Sequence, residues 1–138
     1  MNRRYLLFFA GIVLIALLGA GVILFSARTA VAVHFTSESD QPLEIAISQP
    51  DIIIDPGVTQ RVIYRVTNPG SEPRNVIANL EYEPASAEFQ VRVFQTDCGK
   101  WTLINPGQTV EFETVFSILP AGPFGSEKIT LRHQFQKP

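Results

Sequence analysis

The groups best suited to soft-metal or acid–base chemistry are one thiol and two imidazoles: Cys98, His34 and His133. Cys98 lies in the stretch Phe94-Gln95-Thr96-Asp97-Cys98-Gly99-Lys100-Trp101-Thr102-Leu103. A single thiol forms no disulfide within its own chain. A single thiolate is also a poor soft-metal site, because Cu(I) takes at least two soft ligands. Three readings of Cys98 follow: a Cu(I) half-site completed by a second protein, a small buried hydrophobe, or a remnant. A Cys–His pair would supply a nucleophile with its base, yet no spacing in the sequence supports one. No HExxH, GxSxG, phosphate-binding loop or CxxC occurs. The sequence therefore predicts no enzyme and no catalytic residue. His133 shares an alternating stripe with Ile129, Leu131 and Phe135. That placement fits a hydrogen-bonded core histidine better than a ligand. His34 reads as interfacial.

The 138 residues allow one domain and a short appended element. Net charge is −2 and no Lys/Arg cluster occurs. Nucleic acid is therefore not an expected partner, since binding it requires a positive stripe against the phosphates. Beyond Ala27 there are nine basic and thirteen acidic residues. This mild excess reads as a solvated face rather than a docking site for cations.

Residues 5–25, from Tyr5 to Phe25, form an uncharged and mostly apolar run of 21. As a helix it would span about 31 Å, close to the hydrocarbon thickness of a bilayer. Arg3 and Arg4 precede it and only Arg28 follows closely. The positive-inside bias places the N-terminus in the cytoplasm and the rest outside, which in a bacterium is the periplasm. A cleaved signal peptide, with Ala30-Val31-Ala32 as its site, is the competing reading. The run exceeds the usual signal-peptide core, which favours a permanent anchor in the inner membrane. The expected organisation is an anchor over residues 1–27, a linker over 28–41 and a domain over 42–138.

After Pro42 the chain becomes a series of strand signals separated by turn signals. Leu43, Ile45 and Ile47 alternate with polar residues, and Ile52-Ile53-Ile54 follows. Asp55-Pro56-Gly57, Asn68-Pro69-Gly70-Ser71 and Asn105-Pro106-Gly107 mark turns. Apolar stripes run through Val62–Val66, Val76–Tyr82, Phe89–Val93, Val110–Phe116 and Ile129–Phe135. Trp101, near a turn, reads as a packing residue. About seven strands at roughly ten-residue spacing, with no helical period, predict an all-β, immunoglobulin-like antiparallel β-sandwich behind one transmembrane α-helix.

Several of these stretches carry a resemblance. Ile54-Asp55-Pro56-Gly57, followed by Gln60-Arg61-Val62-Ile63-Tyr64-Arg65-Val66-Thr67-Asn68, resembles a family pattern V-x-P-G … V-x-V-x-Y-R-x-x-N. Leu103-Ile104-Asn105-Pro106-Gly107-Gln108 resembles its L-x-P-G-E. Phe116-Ser117-Ile118, a Pro/Gly loop and Lys128-Ile129-Thr130-Leu131 resemble its closing segment. The order and spacing resemble the copper chaperones of cytochrome c oxidase assembly of the CtaG type. The resemblance implies one membrane helix, an immunoglobulin-like domain outside, and Cu(I) delivery to the CuB centre. The departures fall on the copper motif. The family's Cys-Phe-Cys-Phe, counted back from Leu103 without gaps, places its cysteines on Gln95 and Asp97. A one-residue gap instead matches Cys98 to the second cysteine. The family's cysteine after the membrane helix has no counterpart in Ala30–Thr36, and His133 stands where the family usually has Tyr.

The resemblance thus implies association with a haem-copper oxidase or a related membrane copper enzyme. Paired thiolates normally hand Cu(I) over, and one chain offers a single thiolate. The expected role is a diverged accessory or assembly subunit with impaired or absent copper binding. An alternative is a true Cu(I) chaperone that pairs Cys98 across a homodimer. A second alternative is an unrelated periplasmic binding module on the same fold. Exposed sandwich edges would offer strands to a partner.

Overall fold

The computed structural model describes residues 30–120 and 125–138. The expected membrane segment, residues 5–25, lies outside the described residues. Among the described residues no helix is long and apolar enough to cross a membrane.

Among the described residues nine strands form in chain order: β1 (Val31–Ser39), β2 (Glu44–Ile47), β3 (Asp51–Ile54), β4 (Thr59–Thr67), β5 (Arg74–Glu83), β6 (Val91–Thr96), β7 (Trp101–Ile104), β8 (Thr109–Ile118) and β9 (Lys128–Gln136). A short 3-10 helix, Ala85–Phe89, joins β5 to β6. The strands make two packed sheets, ordered β3-β1-β9-β5-β7 and β2-β4-β8-β6. Alternation does the sorting, because successive side chains on a strand point to opposite faces. Val62, Tyr64 and Val66 of β4 face inward, as do Ile129, Leu131, His133 and Phe135 of β9.

Three expectations change. The polar segment 28–41, read as a linker, contains β1, which lies between β3 and β9. Its inward residues Val31, Val33 and Phe35 are fully buried; the polar run Ser37-Glu38-Ser39 obscured that alternation. The sandwich is also not wholly antiparallel. β1 runs parallel to β9, from Ala32 opposite Lys128 to Ser39 opposite Phe135. A parallel pair needs a long crossover, and here the rest of the domain supplies it. Finally, Phe89 and Trp101 do not pack inside; both are exposed. Phe89 ends the 3-10 helix, and Trp101 sits on the outer face of the edge strand β7.

Aromatic pairs bridge the two sheets. Phe35 meets Phe116 edge-on with centroids 5.8 Å apart, and Phe112 meets Phe135 at 5.2 Å. Burying each such ring contributes on the order of 2–3 kcal/mol. At one end of the sandwich Asn68 is fully buried and ties two turns together. Its Nδ2 donates to the carbonyls of Glu72 at 2.8 Å and Ile104 at 3.0 Å. Its Oδ1 accepts from Gly70 N–H at 3.0 Å. Its backbone N–H donates to Gln108 O at 3.1 Å, and its carbonyl accepts from Gly107 N–H at 2.8 Å. The sequence turn Asn68-Pro69-Gly70 is thereby locked to the β7–β8 turn. Asn68→Ala removes all three side-chain bonds and leaves their partners unmatched. It is expected to destabilise the domain by about 2–4 kcal/mol, read as a shift in the urea midpoint at unchanged slope.

Candidate functional site

Cys98 sits where one edge strand changes sheets. β6 pairs only with β8, and β7 pairs only with β5, so β6 and β7 are the last strands of their respective sheets. The link Asp97–Lys100 crosses between them. Asp97 fastens the near side: its N–H donates to Glu113 O at 3.0 Å, and its Oδ2 accepts from Glu113 N–H at 3.0 Å. Gly99 fastens the far side by donating its N–H to Ala78 O at 2.8 Å. Gly99 has φ +79°, a conformation that favours glycine. Lys100 Nζ donates to Asp97 Oδ1 at 2.8 Å. That bond, with the Glu113 N–H, holds the Asp97 carboxyl below its ordinary value.

A bulge decides which side chains face inward. The register of β6 against β8 shifts between Val93 and Gln95, leaving Phe94 unpaired and exposed. Plain alternation from Val91 and Val93 would send Gln95 and Asp97 toward the core. The extra residue reverses the parity. Thr96 comes opposite Thr114, their hydroxyls 3.0 Å apart, and Cys98 packs partly buried against the core. Thr96 and Cys98 thus share a face two residues apart. The one-residue gap in the resemblance matches these two positions to the family's Cys-x-Cys.

Polar groups continue inward from the thiol. Cys98 N–H donates to Thr96 Oγ1 at 3.1 Å. Thr114 Oγ1 lies 3.0 Å from His133 Nε2. The His133 ring stacks on Tyr64 with centroids 4.0 Å apart. His133 Nδ1 and the Tyr64 hydroxyl are buried without a hydrogen-bond partner among the described residues. A bare acceptor costs less than a stranded N–H donor, so the bonding assigns the His133 proton to Nε2, donated to Thr114. Thr114 can then donate to Thr96.

These surroundings set the acidities. Burial pushes the Cys98 thiol up, and Asp97 adds to the rise; hydrogen bonds with Thr96 and Thr114 oppose it only in part. Burial also raises Tyr64, with Cys98 adding to the effect. Burial lowers His133 from 6.5 to about 4. The thiol is therefore protonated at neutral pH, the opposite of an activated nucleophile or a ready metal ligand.

The structure brings His133 toward Cys98 through Thr114, as a core histidine. It does not bring His34. That imidazole lies on β1, where Nδ1 is 2.6 Å from Asp51 Oδ1. Among the described residues no group of three or more His, Cys, Asp or Glu is placed to hold a metal ion. Beside Cys98 stand threonine hydroxyls, which are hard donors and suit Cu(I) poorly. The site within one chain does not fit a Cu(I) ion. Thr96, Thr114 and Tyr64 were not singled out from the sequence; the available signal was a threonine, Thr114, interrupting the apolar stripe Val110–Phe116. Near the thiol in the chain, Phe94 on β6 and Trp101 and Leu103 on β7 are exposed, with Arg92 5.4 Å over the Phe94 ring.

The buried imidazole has a consequence for pH. Between pH 6.5 and 4 the unfolded chain binds a proton that folded His133 refuses. Stability is undiminished above the unfolded value and falls as pH drops through this window. The loss from this group approaches about 3 kcal/mol. Urea unfolding in detergent at pH 7 and pH 4.5 should show it, and His133→Phe should flatten the difference. Equal pH dependence in wild type and variant would count against a neutral buried imidazole.

The sequence model of the family described as cytochrome c oxidase assembly protein CtaG/Cox11 matches residues 21–137. No curated protein matches the chain.

Proposed function

The chain belongs to the cytochrome c oxidase assembly protein CtaG/Cox11 family, and from that premise we propose that it serves a haem-copper oxidase as an accessory or assembly subunit with impaired or absent copper binding. Membership makes it an assembly protein rather than an enzyme and sets aside the reading as an unrelated binding module. In this proposal residues 5–25 span the bacterial inner membrane with the N-terminus in the cytoplasm. The immunoglobulin-like domain then stands in the periplasm, beside the membrane subunits of its partner.

One observation carries the reading. The sole cysteine, Cys98, is half-buried with its thiol pushed up, and threonine occupies the neighbouring inward position. Cu(I) transfer by ligand exchange asks for two accessible thiolates, and one chain supplies neither the number nor the charge. The exposure of Phe94, Trp101 and Leu103 on the edge strands β6 and β7 supports a docking role there. It also favours one second reading. Two copies joined along these edge strands would bring their Cys98 thiols together as a chaperone site across a homodimer.

Titration of the full chain in detergent with Cu(I), under reducing conditions and against a competing chelator, separates the two. Wild type is expected to bind no more copper than Cys98→Ser. Thr96→Cys, which puts a second thiol beside Cys98 on the same face, is expected to gain a Cu(I) site within each chain. Copper bound by wild type at one ion per pair of chains, with dimerisation that Cys98→Ser abolishes, would replace the accessory reading with the homodimer. A further outcome concerns the partner: oxidase subunits should co-purify from native membranes, and Trp101→Ser with Leu103→Ser should weaken their recovery.

A further inference from the structure

We propose that the end of the sandwich where β1 begins rests in the lipid headgroup layer, so that the domain is docked on the bilayer as well as tethered to it. The inference rests on the membrane anchor of the proposed function. Residues 5–25 end six positions before Val31. Six residues of extended chain reach no more than about 20 Å, so this end stands close to the membrane surface.

The same end carries much of the exposed apolar surface. Ile53 is 79% exposed, Val58 44%, Phe89 85% and Leu119 41%. They come from separate parts of the chain, and backbone bonding gathers them. Val31 pairs with Ile54 and Ala32 with Ile53, so β3 finishes beside the start of β1. Gly57 N–H donates to Ile118 O at 2.8 Å, drawing Val58 toward Leu119. Leu119 N–H donates to Gln90 O at 2.8 Å, drawing in Phe89. The four side chains therefore extend across the end from β3 to the start of β6. At the opposite end, among the described residues, the turns 40–43, 69–73 and 105–108 expose no large hydrophobic side chain.

An apolar surface that spans one end of a domain calls for an occupant. The tether brings lipid within reach. Charge identifies the kind of lipid contact: among the described residues Asp55, Glu88 and Glu127 flank this end beside Lys128, and in the sequence Arg28 is the one charge between the apolar run and Val31. Attraction to an anionic headgroup is therefore weak or adverse. The contact is shallow apolar insertion, which suits zwitterionic lipid.

The test uses the full chain in phosphatidylcholine vesicles. A polarity-sensitive fluorophore is attached at Val58→Cys, Phe89→Cys or, at the far end, Glu72→Cys, each in a Cys98→Ser background. Lipids carrying a nitroxide near the headgroup serve as quencher. Blue-shifted emission at positions 58 and 89, quenched several-fold more than at position 72, is the expected result. Water-like emission at all three positions, in a chain that resists alkaline extraction, would overturn the docking and leave the anchor standing. Shielded emission at 58 and 89 without quenching by lipid would place protein, such as a second copy, on this end and overturn it as well. Release of the chain by alkaline extraction would instead remove the anchor, and the docking with it.

Discussion

One extra residue in β6 governs the chemistry of this protein. The bulge at Phe94 reverses the inward and outward sense of everything up to the sheet crossing. It turns Phe94 out to solvent and brings Thr96 and Cys98 in. The crossing itself is held at both margins, by Asp97 on β8 and by Gly99 on β5. These bonds hold Cys98 half-buried at the crossing. Its half-buried position, and the weakened acidity that burial imposes on the thiol, follow from that constraint.

Behind the thiol the core departs from a purely apolar filling. Tyr64 and His133 come from opposite sheets and stack at 4.0 Å. Each keeps one polar atom without a partner among the described residues. Such groups weaken a core unless packing offsets their desolvation. Here the offset comes from the rings themselves and from the neighbouring pairs Phe35–Phe116 and Phe112–Phe135. The imidazole is tolerated because burial keeps it neutral, and Thr114 satisfies one of its nitrogens. The contribution of the neutral imidazole is present above its ordinary value of 6.5 and is lost as pH falls toward 4.

Family membership and local chemistry point in different directions, and the contrast is informative. The family assembles cytochrome c oxidase. This chain keeps the turns and stripes that build the sandwich, while the inward pair at the crossing is Thr96 and Cys98 rather than two thiols. One chain offers a soft metal a single thiol, and its edge strands β6 and β7 expose Phe94, Trp101 and Leu103. Binding through a sheet edge depends on backbone and apolar contact rather than on sulfur, which is why the proposed docking role does not require a second thiol.

Much of the fold was legible in the residues. Period-two stripes such as Val62-Tyr64-Val66 and Ile129-Leu131-His133-Phe135 face inward as written, because a strand's geometry leaves no other choice. The turn at Asn68-Pro69-Gly70 and the core placement of His133 were legible for the same local reason. β1 was not, since five of its nine residues are polar, and only its pairing with β3 and with the last strand makes it part of a sheet. The direction of Cys98 was not legible either. Alternation counted along β6 gives the wrong answer by one residue, and nothing near Phe94 announces the bulge. By itself the sequence determined how many thiols this protein has and which stripes it must bury. The tertiary structure alone decided where the thiol points and what surrounds it, because the register of β6 on β8 is fixed by contacts between segments distant in the chain.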